Sequence, residues 1–281
     1  MVSYKIKSHA KINLALNVTG KTNFLHKIES IISFINLHDL IYIKEINKKN
    51  HKIFFKGKFS KNINKINTVT ILLKLLDQKK YLSNRKFEIR IVKNIPKEAG
   101  MGGGSMNAAS LISFFIKKKM LKLSKNELIK LTNKIGSDVI LGIKPTNTIL
   151  SSNGKIKRFD KNIKLYALIV KPNFGCSTKK IYSQVKKFTK PRFNIISKRM
   201  FSVEFLKKMK NDLEPIALNT YPKLSTLKNF LKKLSKIEFV RMTGSGSAII
   251  AYFNSDKKCK EAEKKVKKKF RNYWCKTAKT I

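Results

Sequence analysis

Apolar positions alternate with polar ones over residues 3–19, at Tyr4 and Ile6 and then at Ala10, Ile12, Leu14, Leu16 and Val18. A period of two is the mark of a half-buried strand. Two strands are expected there, with His9–Asn13 between them or opening the second. Residues 28–46 carry Ile31, Ile32, Phe34, Ile35, Leu37, Leu40, Ile41 and Ile43, which reads as two more strands around 36–39. The Lys- and Asn-rich stretch 47–65 reads as a peripheral hairpin and loop with a short strand at 53–55. The period then changes. Val69, Leu72, Leu73 and Leu76 share one helical face behind Asn67, a suitable cap. Phe87, Ile89 and Ile91 restore the alternation of a strand. Ala108, Leu111, Ile112, Phe115 and Ile116 return to helical spacing, and Ser124 with Glu127 forms a capping-box pattern ahead of a helix that Gly136 stops.

The second half of the chain repeats these signals. A hairpin is expected over 148–159 and an apolar strand over 165–170. Ser177 or Thr178 caps a helix running through Ile181 and Tyr182. Leu224, Leu227, Leu231 and Leu234 predict an amphipathic helix, and residues 249–253 a strand. A last helix over 257–270 turns Cys259, Ala262, Val266 and Phe270 inward, with lysines outward. Residues 186–200 are basic, lack a pattern and are expected to be mobile. Strands and helices interleave in an α+β arrangement, with a domain boundary near residue 160, giving 1–160 and 161–281.

One stretch departs from all of these periods: Pro96-Lys97-Glu98-Ala99-Gly100-Met101-Gly102-Gly103-Gly104-Ser105-Met106-Asn107. It holds four of the twelve glycines and joins a strand to a helix. Such a turn leaves backbone N–H groups free at the positive end of a helix dipole, where phosphate binds. Ser105 and Asn107 can cap that helix or offer side-chain contacts. The run is not a Walker loop, since no G-x-x-x-x-G-K-[ST] exists, and Ser105 stands where a Rossmann fingerprint needs its last Gly or Ala. No H-R-D or D-F-G accompanies it, which excludes the protein-kinase set.

Composition changes this picture little. In 281 residues, 42% are hydrophobic, enough for a sizeable core. The net charge of +47 suggests a nucleic-acid partner at first sight. However, the 63 basic residues are 56 Lys and only seven Arg. Arginine is the residue that forks onto phosphate and base edges. Lysine, asparagine and isoleucine share A/T-rich codons, so the charge reads as genome composition, and no specific nucleic-acid partner is expected. Three scattered cysteines form no metal-ligand spacing, so no metal site of the protein's own is expected, and a reducing, cytoplasmic setting fits. No run approaches eighteen apolar residues, so no membrane partner is expected.

The P-x-x-x-G-x-G-G-G-S pattern resembles the ATP-binding motif of the GHMP kinases, and the motifs around it follow in that family's order. Ala10-Lys11-Ile12-Asn13-Leu14 matches its opening strand. Gly136-Ser137-Asp138-Val139 matches its G-A-D-V-P element except for Ser137, with Ile140 where Pro is usual, and Thr243-Gly244-Ser245-Gly246-Ser247-Ala248 matches its third, glycine-rich motif. Asn211-Asp212-Leu213-Glu214, Ser177-Thr178 with Ile181-Tyr182, and the S-x-N-A-A after the glycines resemble the branch that handles a diphosphocytidyl substrate. The resemblance implies a two-domain fold, with a ribosomal S5 domain 2-like N-terminal domain for ATP, a ferredoxin-like C-terminal domain and the active site in the cleft between them. It implies ATP-dependent phosphorylation of the 2-hydroxyl of 4-diphosphocytidyl-2-C-methyl-D-erythritol, an isoprenoid precursor, with ATP and Mg²⁺ as cofactors.

By the same resemblance Asp138 is the catalytic base and Lys11 lies beside the reacting hydroxyl. Pro96, Gly100, Met101, Gly102, Gly103, Gly104, Ser105, Met106 and Asn107 hold ATP. Asn13, His26, Thr178, Tyr182, Gly244 and Ser245 hold the cytidine diphosphate-linked small molecule, His26 and Tyr182 at its base. The departures are Glu98 for a usual Gly, Met106 for a usual Ser, and Asn23-Phe24-Leu25-His26 where D-G-Y-H is usual. Leu25 cannot stack on a base as Tyr does, and Phe24 is the neighbouring aromatic. The alternatives are a GHMP kinase for another acceptor, of homoserine or mevalonate type, and a basic RNA-binding protein. A monomer and a homodimer are equally compatible with the sequence.

Overall fold

The computed structural model describes residues 2–23, 25–160 and 163–281. In chain order the elements are β1 (Ser3–Lys21), β2 (His26–Ile46), β3 (Lys52–Lys56), α1 (Thr68–Gln78), β4 (Lys86–Val92), α2 (Gly103–Lys117), α3 (Lys125–Ile135), α4 (Val139–Gly142), β5 (Asn147–Leu150) and β6 (Ile156–Phe159). They continue with β7 (Tyr166–Lys171), α5 (Thr178–Ser183), α6 (Val203–Lys207), α7 (Leu213–Thr220), α8 (Pro222–Lys232), β8 (Phe239–Met242), β9 (Ile249–Phe253), α9 (Asp256–Lys269) and β10 (Trp274–Lys279).

The chain divides into two units interleaved in sequence. One comprises Met1–Lys11, Leu37–Pro96 and Gly102–Pro145, the other Ile12–Asn36, Lys97–Met101 and Thr146–Ile281. The boundary expected at 160–161 falls beside Lys161 and Asn162, which lie outside the described residues.

In the first unit the later part of β2 pairs antiparallel with β4, Leu40 opposite Val92, and β3 pairs parallel with β4, Lys52 opposite Glu88. The alternation in β4 puts Phe87, Ile89 and Ile91 into a core with Leu72, Leu73 and Leu76 of α1 and Leu111, Ile112 and Phe115 of α2. Helix α1 starts as its sequence predicts: Asn67 accepts from Val69 and Thr70 amides and Thr70 closes the box. Ser124 and Glu127 do the same for α3.

In the second unit a four-stranded antiparallel sheet runs β10-β7-β9-β8. Its core gathers Leu168, Val170, Ile249, Ala251 and Phe253 with Leu213, Leu224, Leu227, Leu231, Cys259 and Val266, together with Leu16 and Val18 of β1. The earlier part of β2 pairs with β5, and β5 with β6.

Three sequence expectations give way. The two strands expected in each of 3–19 and 28–46 are one long strand apiece. Asn36 and Asp39 do not turn the chain because their side chains are engaged across it. Asn36 accepts from the Lys279 amide at 2.9 Å, and Asp39 from the Asn94 and Ile95 amides at 2.7 and 2.9 Å. Strand β10 was not expected, since its lysines mask the alternation. The segment 186–200 is tethered rather than loose: the Thr189 amide donates to Val18 O, and the Arg192 and Phe193 amides donate to the fully buried Glu29 carboxylate.

Candidate active site

The first unit builds its cluster around the start of α2. Strand β4 leaves the sheet at Lys93, whose ammonium forms a buried ion pair with Asp39; the same carboxylate takes the next two amides. That anchor fixes the entry of the chain into Ile95 and Pro96. On the other side of the turn, Gly102 has φ +64 and is the N-cap of α2. It makes no side-chain cap, and the first turn carries no acidic residue. The caps expected from Ser105 and Asn107 are therefore not formed. The helix begins at Gly103, so Ser105 already sits inside its first turn and Asn107 is buried with Oδ1 unpartnered. Fifteen residues of aligned peptide dipoles end on uncapped amides, an arrangement suited to an anion.

The Lys11 side chain lies across Gly102, where an added Cβ would stand 3.0 Å from its Cγ and 3.1 Å from its Cε. The Lys11 ammonium is 3.1 Å from Asp138 Oδ2, the side chains being 6% and 32% exposed. The cation is thus enclosed, while the carboxylate can be reached from outside. Asp138 opens the short turn α4, which packs on α2. A Cβ on Gly142 would lie 2.8 Å from Met106 Sδ and 2.8 Å from Ala109 Cβ, and one on Gly136 would lie 3.9 Å from Ser105 Oγ. The turn that carries Asp138 is therefore seated on the first turns of the helix whose amides are free. Met106, like Met101 in the other unit, is buried, so each offers backbone, not side chain, to a ligand.

The second unit brings two glycine-rich turns together backbone to backbone. Gly100 (φ +71) approaches Thr243 so closely that a Cβ would fall 1.9 Å from Thr243 O, and Gly244 (φ +53) would meet Gly100 O at 3.0 Å. Only glycine fits such an approach. Thr243 Oγ1 accepts from the Asn13 amide at 3.0 Å and donates to Gly100 O at 3.1 Å. Asn13 Nδ2 donates to Ser30 Oγ at 2.8 Å, and Asn211 Nδ2 donates to both Met242 O and Gly244 O at 2.8 Å. Thr178 Oγ1 and Ser245 Oγ share a hydrogen bond of 2.8 Å. On α5, Thr178 and Tyr182 stand four residues apart and so share a face. The Tyr182 ring lies 5.0 Å from that of His26. Burial and the nearby Lys21 push the His26 imidazole below its usual range, which favours the neutral ring.

The structure thus gathers Lys11, Asp138 and Gly102–Asn107 in one unit, with Pro96 ending the strand exit. Asn13, His26, Gly100, Met101, Thr178, Tyr182, Gly244 and Ser245 belong to the other, where Asn13, Gly100 and Gly244 meet around Thr243, Thr178 meets Ser245, and His26 meets Tyr182. Sequence reasoning missed Asp39 and Lys93, which pin the entry to the glycine turn. It also passed over Thr243 as a hub, although that residue was visible at the head of its motif. Glu98 stands where the motif usually has Gly. It adopts φ +49, its carbonyl accepts from the Ser247 amide at 2.9 Å, and its side chain crowds Gly175. Phe24 lies outside the described residues. Among the described residues no group of three or more His, Cys, Asp or Glu side chains could hold a metal ion, and no helix is long and apolar enough to cross a membrane.

Residues 67–148 match a family model described as the GHMP kinases N terminal domain, and residues 198–272 match one described as GHMP kinases C terminal. The chain is 60% identical over 281 residues to the 4-diphosphocytidyl-2-C-methyl-D-erythritol kinase of Pelagibacter ubique, covering 100% of both. It is 34% identical to the enzyme of that name from Persephonella marina, covering 88% of this chain and 90% of that one. Among solved structures, a 4-(cytidine 5'-diphospho)-2C-methyl-D-erythritol kinase matches with a TM-score of 0.77 at 20% identity, covering 98% of this chain and 99% of the other. A homoserine kinase from Cytophaga hutchinsonii matches at 0.72 with 15% identity, covering 99% and 94%. At those identities the structural likeness is one of fold.

Proposed function

The chain belongs to the GHMP kinase family, and from that premise we propose that it transfers a phosphoryl group from ATP to the 2-hydroxyl of 4-diphosphocytidyl-2-C-methyl-D-erythritol, a step in making isoprenoid precursors. One observation carries the chemistry: the Lys11–Asp138 ion pair of 3.1 Å beside Gly102, the N-cap of an uncapped helix. Phosphoryl transfer depends on positioning and charge stabilisation more than on covalent help from the protein.

In this reading the amides of Gly103, Gly104 and Ser105 bind the polyphosphate, with Pro96, Gly100, Met101, Gly102, Met106 and Asn107 shaping that turn. Asp138 takes the proton of the acceptor hydroxyl. Lys11 orients that carboxylate and offsets the negative charge that develops on the hydroxyl oxygen. Asn13, Thr178, Gly244 and Ser245 hold the diphosphate end of the acceptor, and His26 and Tyr182 its base. ATP would supply the phosphoryl group and Mg²⁺ would neutralise charge on its phosphates; Ser105, in the first turn of α2, is the hydroxyl that would help hold it. Residues 1–160 and 161–281 serve as the ATP-binding and C-terminal domains. The substrates place the reaction in the cytoplasm; it needs no nucleic-acid or membrane partner, and a monomer or a homodimer would serve.

A second reading, a GHMP kinase for another acceptor, draws on Leu25, an exposed aliphatic residue beside His26. Purified protein incubated with ATP and a panel of acceptors separates the two. Turnover with the diphosphocytidyl acceptor alone is expected. Turnover with homoserine or mevalonate in its place supports the second reading. No turnover, with tight and salt-sensitive RNA binding, supports the RNA-binding alternative.

A further inference from the structure

A substrate that ends in cytosine needs flat π faces to receive the ring, because stacking carries much of base recognition where the base is presented unpaired. His26 and Tyr182 supply one side of such a receptacle. The residue before His26 is Leu25, which is aliphatic, 67% exposed and tied into its turn by hydrogen bonds to Thr22. It has no π face to offer.

A third ring is present, from a part of the chain that carries no motif. Phe188 lies 6.4 Å from His26, centroid to centroid, and its ring is 48% exposed. Its place beside His26, rather than its exposure, singles it out, and its backbone is held in place. The Thr189 amide donates to Val18 O at 2.8 Å, and Thr189 Oγ1 donates to Asp212 Oδ2 at 2.7 Å. Asp212 Oδ2 also accepts from the Val18 amide. Four residues further on, Arg192 and Phe193 donate to the Glu29 carboxylate, which also accepts from Asn17 Nδ2 at 2.8 Å, and the Phe193 ring is fully buried. Phe188 is therefore an exposed ring on a backbone fastened to β1 one residue away.

We propose that Phe188 is a specificity-determining residue: it supplies the aromatic wall that Leu25 cannot, so that the cytosine of the substrate is received among Phe188, Tyr182 and His26. The inference rests on the diphosphocytidyl acceptor argued above. His26, with its imidazole favoured neutral, offers the base one donor and one acceptor, while the two other rings meet its faces. This wall comes from a loop more than 150 residues after the hairpin tip, which a motif search confined to the hairpin does not find.

The test is steady-state kinetics on the full chain with the diphosphocytidyl acceptor and ATP varied in turn, beside calorimetric binding of cytidine diphosphate. Phe188→Ala is expected to raise the acceptor KM about tenfold or more, following the loss of one stacked face, and to weaken cytidine diphosphate binding in parallel. The KM for ATP is expected to stay within about twofold and kcat to change less than the acceptor KM. Phe188→Tyr should keep the unaltered KM. Leu25→Tyr placed in the Phe188→Ala background should recover most of the loss, a rescue that a merely structural role for Phe188 would not give. An unchanged acceptor KM in Phe188→Ala overturns the proposal. So does an equal rise in the KM for ATP, or the loss appearing in Phe24→Ala instead. Failure of the unaltered protein to turn over this acceptor or to bind cytidine diphosphate overturns the functional reading and the Phe188 assignment with it. Turnover with no effect at Phe188 overturns the assignment alone.

Discussion

The cluster at the start of α2 and the cluster around His26 are made of different material. The first is mostly backbone: free amides and a glycine at φ +64, with two ion pairs, Lys93–Asp39 and Lys11–Asp138, all within one unit. The second is mostly side chains, brought from β1, β2, α5 and the turn after β8. Backbone sites demand glycines and little else, so they stay recognisable while neighbours change. Met106 has lost a hydroxyl and yet the helix start is intact. Side-chain sites depend on each residue, and it is beside His26 that Leu25 stands where D-G-Y-H is usual.

The largest effect should come from removing the Lys11–Asp138 pair beside Gly102. Asp138→Asn is expected to lower kcat by about 10² to 10⁴, the range for a general base, with little change in the KM for ATP. Lys11→Ala should lower it by about 10² to 10³ as a lost electrostatic stabiliser. Full activity in Asp138→Asn would remove that residue as the base and leave the α2 cluster a binding site only.

That contrast also explains what was legible in the sequence. The glycine run, the Asn67 and Ser124 caps and the alternation of β4 depend on neighbours in sequence, and each was readable. Asp39 was not, because its role is fixed by Lys93 and two amides more than fifty residues away. The same distance kept β1 and β2 from being seen as single strands. Their polar residues look like turn signals until the buried partners that satisfy them are known. Strand β10 stayed hidden because its pairing with β7, Trp274 opposite Lys171, owes little to its own pattern. The resemblance supplied Lys11 and Asp138 as partners, and their 3.1 Å approach is a long-range fact that spacing alone does not contain.

The side-chain cluster has one backbone-made part, and it sharpens the comparison. Gly100→Ala would place a Cβ 1.9 Å from Thr243 O at a φ of +71. The left-handed conformation and the overpacking together should cost about 2–4 kcal/mol, seen as a lower thermal midpoint. A midpoint unchanged from the parent would show that the two glycine turns are free to separate. The effect should far exceed that of Gly154→Ala, which has the same kind of positive φ but nothing within 4 Å of the added carbon.

A smaller effect is expected from pH. Burial and Lys21 hold the His26 imidazole below its usual value, which for histidine lies near 6.5. A neutral ring is therefore the form present at pH 7 and above, and protonation sets in only as pH falls below that usual value. The acceptor KM should be flat from about pH 7 to 8 and rise a few-fold toward pH 5.5, while the KM for ATP does not follow it. His26→Gln, which cannot be protonated in that range, should flatten the rise. A parallel rise in both constants would move the titrating group out of the recognition cluster.

A last test asks whether Glu98, a departure in the middle of the glycine-rich turn, is coupled to the approach to α5. Its residue sits at φ +49, a conformation that disfavours a side chain by about 1–2 kcal/mol. Its carboxylate and Cβ occupy the space beside Gly175, at 1.9 and 2.5 Å from where a Cβ would be. Gly175 precedes Thr178 by three residues, so whatever fixes Gly175 also fixes the approach to α5. Glu98→Gly alone should raise stability by about 1 kcal/mol, by releasing the left-handed side chain. Gly175→Ala alone should lower it by about 1–3 kcal/mol, since the close Cβ of Glu98 cannot swing away as a carboxylate can. In the double variant the obstruction is gone, and the alanine should be tolerated, with a coupling of about 0.5–3 kcal/mol between the two sites. Denaturant unfolding of the four proteins measures that coupling. Strict additivity would mean that Glu98 merely occupies the phosphate turn. A clear coupling would make it a contact through which residues 97–101 fix the approach to α5.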